Sequence, residues 1–160
     1  MAPSTRTPEL AEKISQMRLT IAPIVHVESG LAPPQFPTTM LELFLLTEDE
    51  LDAMARYYSQ MTPDLHTHHY PQTMDWDRPF LARSRPGHTL PENCKLNDLE
   101  RLKVKMRMFA RFIGMRGADT PKWEYERQLD ILKAKIDRSI EEEERATTRS
   151  KWYKGPPTRP

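Results

Sequence analysis

Apolar residues recur at intervals of three and four in several segments of the chain, and this spacing predicts an all-α fold. Thr47 followed by Glu50 has the pattern of a capping box, which marks the start of a helix. The run at 40–46 is compatible with either a strand or a helical turn, but a second box of Thr39 with Glu42 favours a helix. The predicted helices are at about 8–22, 40–60, 97–116 and 120–145.

The last two helices carry the longest apolar seams. The seam residues are Leu99, Leu102, Met106, Phe109 and Ile113 in the first, and Tyr125, Leu129, Leu132, Ile136 and Ile140 in the second. A seam of this spacing packs against another helix. Since the break around Gly117 is short, the two helices are predicted to form an antiparallel hairpin, on which the helix at 47–60 packs.

Between these helices lies a long connection at 62–96 that contains five prolines. Proline removes a backbone donor and disfavours helix, so this connection is predicted to be irregular. It is expected to cover the outside of a helical bundle or to reach a partner. The predicted organisation is a single helical domain at 7–145, a flexible N-terminus at 1–6 and a flexible, basic, proline-rich tail at 146–160.

Composition places the chain among small proteins with a modest core. It has 160 residues, 38% of them hydrophobic, and a formal net charge of +1, which gives no overall attraction to nucleic acid or an anionic membrane. The single Cys94 favours a reducing setting. No secretory signal is visible, and the longest apolar run is too short to span a bilayer. We expect an intracellular protein, cytoplasmic or nuclear, without membrane contact.

Three of the five histidines lie within four positions of the irregular connection. His66 and His68, with Asp75, could bind zinc or another transition metal, and His69 is adjacent. In an extended segment His68 and His69 point in opposite directions, which argues against a preformed site. The alternatives are a pH-sensitive contact and a polar loop whose imidazoles form hydrogen bonds. The expected state is therefore no cofactor, with a metal as the alternative.

The same connection carries aromatic residues and an arginine of the types that anchor protein interfaces. These candidate partner-binding residues are Tyr70, Trp76, Arg78 and Phe80. They could equally hold the connection on the core of its own chain.

The helix at 97–116 is basic, which allows contact with nucleic acid. The candidate residues are Lys103, Lys105, Arg107 and Arg111. Because the helices on either side are acidic, the positive charge can instead be neutralised inside the protein.

The chain has no catalytic triad pattern and no glycine-rich phosphate loop. The leading interpretation is a non-catalytic interaction module: a small helical subunit or adaptor that binds another protein chain, or a second copy of itself, through its helical seams. A metal-binding protein or metalloenzyme and a nucleic-acid-binding protein are the alternatives.

Overall fold

A computed structural model describes residues 7–82 and 90–152, with side chains described as far as residue 148. It confirms the all-α class. The described residues form five α-helices: α1 (Pro8–Met17), α2 (Met40–Leu45), α3 (Glu48–Tyr57), α4 (Asp98–Phe112) and α5 (Lys122–Trp152). Among these helices, none is both long and apolar enough to cross a membrane. The predicted flexible N-terminus and most of the predicted tail lie outside the described residues.

The described chain divides into two compact units. Unit 1 contains residues 7–82 and 96–119, and unit 2 contains residues 90–95 and 120–152. Helices α4 and α5 therefore belong to different units, and the predicted hairpin between them is not confirmed.

The helix predicted at 40–60 is two helices with separate caps. The Thr47 hydroxyl accepts a hydrogen bond from the Glu50 amide at 3.4 Å, and the Glu50 carboxylate accepts one from the Thr47 amide at 2.8 Å. Leu46 between the helices is extended, with φ −59° and ψ 134°. A capping box also requires an extended N-cap residue, and Thr47 has φ −80° and ψ 163°, so α2 cannot continue through it into α3.

Helix α1 ends at Met17, five residues before its predicted end, because the chain after it pairs with the start of α2. The Ile21 amide donates to the Thr38 carbonyl at 2.9 Å, and the Met40 amide donates to the Leu19 carbonyl at 3.0 Å. Thr20 and Thr39 form an isolated antiparallel bridge. These long-range hydrogen bonds replace those that a longer α1 would make.

The core of unit 1 forms where α3 packs on α4. Its centre is a group of aromatic rings, in which the Tyr58 ring lies 5.1 Å from Phe112 and 5.6 Å from Tyr70, centroid to centroid. Such tilted and edge-to-face contacts add to the free energy gained by burial. Leu51, Met54 and Ala55 of α3 are buried beside them.

The part of the irregular connection at 62–82 supplies side chains to this core. Met74 and Phe80 are 0% and 1% exposed. The buried Gln60 side chain holds the segment in place: its amide nitrogen donates to the Thr67 carbonyl and its oxygen accepts from the Met74 amide, both at 3.0 Å. This segment is therefore part of the core of unit 1, where we expected an outer cover or a partner contact.

Unit 2 consists of α5 and the short segment 90–95 that lies against its first turns. Cys94 is fully buried, and its thiol lies 3.8 Å from the Arg127 carbonyl. The Arg127 guanidinium donates to the Asn93 carbonyl at 3.2 Å and stacks 5.1 Å from the centre of the Trp123 ring. Helix α5 continues to Trp152, beyond its predicted end at 145.

Candidate functional site

A network of ion pairs joins α3 to α4 inside unit 1. Arg101 donates to both carboxylate oxygens of Glu48, at 2.7 and 3.0 Å. Lys105 donates to Glu48 at 2.8 Å and to Asp52 at 2.7 Å. The Trp76 indole N–H also donates to Asp52, at 2.8 Å. The network thus fixes α3, α4 and the irregular segment against one another.

Both cations of the network are deeply buried, with Arg101 and Lys105 side chains 7% and 5% exposed. Burial alone raises the pKa of Glu48, but the hydrogen bonds from Arg101 and Lys105 outweigh it and lower that pKa to about 2. The hydrogen bond to Glu48 likewise raises the pKa of Arg101. Glu48 and Arg101 therefore both carry their charges at neutral pH.

The lowered pKa of Glu48 predicts acid-dependent stability. A carboxyl group with a pKa lowered by folding contributes stability above its unfolded value of 4.5, and this is lost as pH falls toward about 2. For Glu48 the contribution is roughly 3 kcal/mol. We expect the unfolding free energy of the protein, measured by urea titration between pH 6 and pH 2 at about one-unit steps, to fall less steeply in Glu48→Gln.

Asp77→Asn, which changes an exposed carboxylate of unit 1, is the control and should keep the slope of the original protein. The pKa of Asp75 is also lowered, because its hydrogen bonds to Arg111, Thr73 and Arg78 outweigh burial. Protonation of Asp75 therefore lowers the unfolding free energy of all three proteins alike as the pH falls. Parallel curves for Glu48→Gln and the original protein would contradict the assigned role of Glu48.

The candidate nucleic-acid residues are largely engaged within unit 1. Lys105 lies in the buried network, and Arg107 donates to the Asp119 carbonyl at 3.3 Å. Arg111 donates to the Asp75 carboxylate at 2.8 Å. Lys103 is exposed. The acidic residues of α3 thus neutralise Arg101 and Lys105 of the basic helix, and nucleic-acid binding stays a prediction without a specific supporting contact.

The candidate partner-binding aromatics face the core. Tyr70, Trp76 and Phe80 are all buried, and Arg78 donates to Asp75 at 3.2 Å. Tyr70 also accepts a hydrogen bond from the Val27 amide at 3.3 Å through its hydroxyl. Of the two roles that the sequence allowed, the structure shows the one in which these residues hold the connection on its own core.

The clustered histidines lie at two different places on unit 1. The His66 ring lies 5.7 Å from His69 and 6.4 Å from His26, and its Nε2 lies 3.1 Å from a Glu28 carboxylate oxygen. His68 instead lines a polar depression of about 420 Å³ together with Asp75 and Arg111. His26, forty residues away in sequence from His66, was not a candidate, because sequence spacing gives no signal for such a contact.

These positions do not assemble the predicted metal site. Among residues 7–82 and 90–152, no three His, Cys, Asp or Glu side chains are grouped in a way that could hold a metal ion. The Asp75 carboxylate accepts from Arg111 and Arg78, and this pairing competes with coordination. The structure therefore does not bring His66 together with His68 and Asp75, and the metal site predicted from these three residues is not formed.

A row of exposed apolar side chains follows one face of α5. Exposed fractions range from 49% to 58% for the seam residues Tyr125, Leu129, Leu132, Ile136 and Ile140. At 100° per residue these five positions occupy an arc of about 80°, and they span about 22 Å of helix. We call this row the α5 stripe. Arg127, Ile131 and Ala134, which are less exposed, lie on the opposite side of the helix.

Unit 1 has further exposed apolar side chains on its shorter helices. They are Leu10 and Ile14 of α1 and Leu41, Phe44 and Leu45 of α2. Helix α2 has only 6 residues, whereas α5 has 31. The α5 stripe is therefore the longer surface for another helix.

The chain matches no protein-family model, no curated protein and no solved structure.

Proposed function

We propose that this protein is a non-catalytic interaction module, a small helical subunit or adaptor of an intracellular assembly, and that its α5 stripe binds another protein chain. The observation that carries the proposal is the exposure of five large apolar side chains in one row on a single helix. Contiguous apolar surface of this kind marks an interaction site in soluble proteins.

The pattern of the stripe fits a helical partner. Leu129, Leu132 and Ile136 are separated by three and four residues, which places them like the knobs of a coiled coil. Completing the burial of a half-exposed Leu or Ile contributes about 1 kcal/mol, so the stripe offers roughly 5 kcal/mol before the cost of association. A partner therefore needs to match several of these side chains at once.

The polar groups of unit 1 support a structural role for that unit. The cations and carboxylates of the α3–α4 network bind one another, and the aromatic residues of segment 62–82 fill the core. These side chains of unit 1 are thus engaged within that unit, whereas those of the α5 stripe are exposed.

Affinity capture with matched variants tests this function. Tagged original protein, Leu132→Asp and Leu65→Asp are each used as bait in an extract of the source cells, and captured proteins are quantified by mass spectrometry. Both changes introduce an aspartate at an exposed leucine, with Leu65 86% exposed on unit 1. We expect Leu132→Asp to reduce the capture of specific partners at least tenfold and Leu65→Asp to retain it.

Circular dichroism should show equal helix content in the three baits, because both sites are exposed. The proposal is contradicted if Leu132→Asp and the original protein capture the same proteins in the same amounts.

A further inference from the structure

We infer that the α5 stripe pairs with the α5 stripe of a second copy of this chain, with the two helices antiparallel. This inference rests on the proposed function and names the partner. It follows from the order of apolar residues along α5 and from the position of its charges.

The stripe residues lie at nearly the same intervals on both sides of Leu132. An antiparallel second copy therefore presents the same order of apolar side chains. In an antiparallel pair centred there, Tyr125 lies opposite Ile140 of the second copy and Leu129 lies opposite its Ile136. Leu132 of each copy meets at the centre. A two-fold axis of this kind gives an isologous interface, in which the same surface of each copy contacts the other. Every apolar residue of the stripe then meets another apolar residue.

The charges of α5 decide between the two directions. The run Glu141 to Glu144 directly follows the stripe. In a parallel pair the two runs lie side by side, and like charges in such contact are destabilising. In the antiparallel pair the runs are about 30 Å apart, beyond the distance at which salt screens charges.

The antiparallel direction also creates favourable neighbours. Lys122 of one copy lies beside Glu143 and Glu144 of the other. Exposed pairs of this kind contribute little each, but they favour one direction over the other. Both the apolar row and the order of charges along α5 therefore favour an antiparallel pair of these helices.

The expected association is modest because the stripe is short. A contact of about 22 Å between two helices is at the small end of specific interfaces, so we expect a dissociation constant of roughly 10–100 µM. Sedimentation velocity of the full chain from about 5 to 500 µM covers this range. The original protein should shift from monomer to dimer, and Leu129→Glu and Ile136→Lys should each stay monomeric at least tenfold higher in concentration.

Mixing the two variants tests the direction of the helices. In an antiparallel pair of Leu129→Glu with Ile136→Lys, the new glutamate meets the new lysine, and the remaining Ile136 meets the remaining Leu129. A dimer should therefore re-form in the mixture. In a parallel pair neither change meets the other and no rescue is expected. Leu65→Glu, on unit 1, is the control and should dimerise like the original protein.

A dimer that both variants disrupt and their mixture restores supports the inference. A dimer without rescue, or one that neither variant weakens, overturns it. An original protein that is monomeric at 500 µM, about fivefold above the upper end of the expected range, also overturns it. In each of these cases the proposed function survives if Leu132→Asp still loses a captured partner, and it fails as well if the capture is unchanged.

Discussion

Lys105→Met should lower the unfolding free energy of the protein by about 3–5 kcal/mol. Lys105 is 5% exposed and binds the carboxylates of Glu48 and Asp52. Removing it leaves Asp52 with the Trp76 indole as its remaining hydrogen-bond donor in this network. The Asp52 side chain is only 17% exposed, and a largely buried carboxylate that has lost its cation retains the cost of its own desolvation.

Urea unfolding followed by circular dichroism measures this change. The control is Lys103→Met, two residues away on the same helix and exposed, for which we expect a change within about 0.5 kcal/mol. Adding Asp52→Asn to Lys105→Met removes the uncompensated charge and should recover about 1–3 kcal/mol. Equal stabilities of Lys105→Met and Lys103→Met are incompatible with the buried network.

Phe80→Ala should destabilise the protein by about 3–5 kcal/mol. Phe80 lies in the irregular segment yet is 1% exposed, so its removal leaves a cavity in the core of unit 1. Leu65→Ala, in the same segment but 86% exposed, should change stability by less than about 0.5 kcal/mol.

The comparison of these two substitutions asks whether the irregular segment belongs to the core. Thermal unfolding and urea unfolding should rank the variants in the same order. If both substitutions are tolerated equally, segment 62–82 lies outside the cooperative core and the packing described above is wrong.

Local sequence signals were sufficient for most helix starts. The pairs Thr39–Glu42 and Thr47–Glu50 predicted capping boxes, and both are present, as is a third box of Asn97 with Glu100 at the start of α4. These motifs depend on residues three apart, so they need no knowledge of the fold. The same locality explains the errors at helix ends: α1 stops at Met17 because of hydrogen bonds to residues 38–40, which its own sequence does not encode.

Long-range partners were the main part that the sequence did not reveal. The acidic character of α3 and the basic character of α4 suggested neutralisation, but not that Glu48 would bind Arg101 across 53 residues. The role of Trp76 was likewise open, since an aromatic residue in a proline-rich segment suits a core or an interface equally well. The structure buries Trp76 in the core, and the burial of a side chain depends on the whole fold.

For the α5 stripe, periodicity identified the residues but not what covers them. The seam from Tyr125 to Ile140 was predicted to pack, and its pattern is the same whether the partner lies within one chain or in another. The charge order along the helix is the additional information from which a direction of pairing follows.

The environment of Cys94 has a practical consequence for site-specific chemistry. Burial, assisted by the nearby Asp130, raises the pKa of this thiol. Because the thiolate is the reactive form, Cys94 should resist maleimide and iodoacetamide reagents while the protein is folded. A cysteine introduced on the surface of α5 can then carry a fluorophore or a spin label without prior removal of the native thiol.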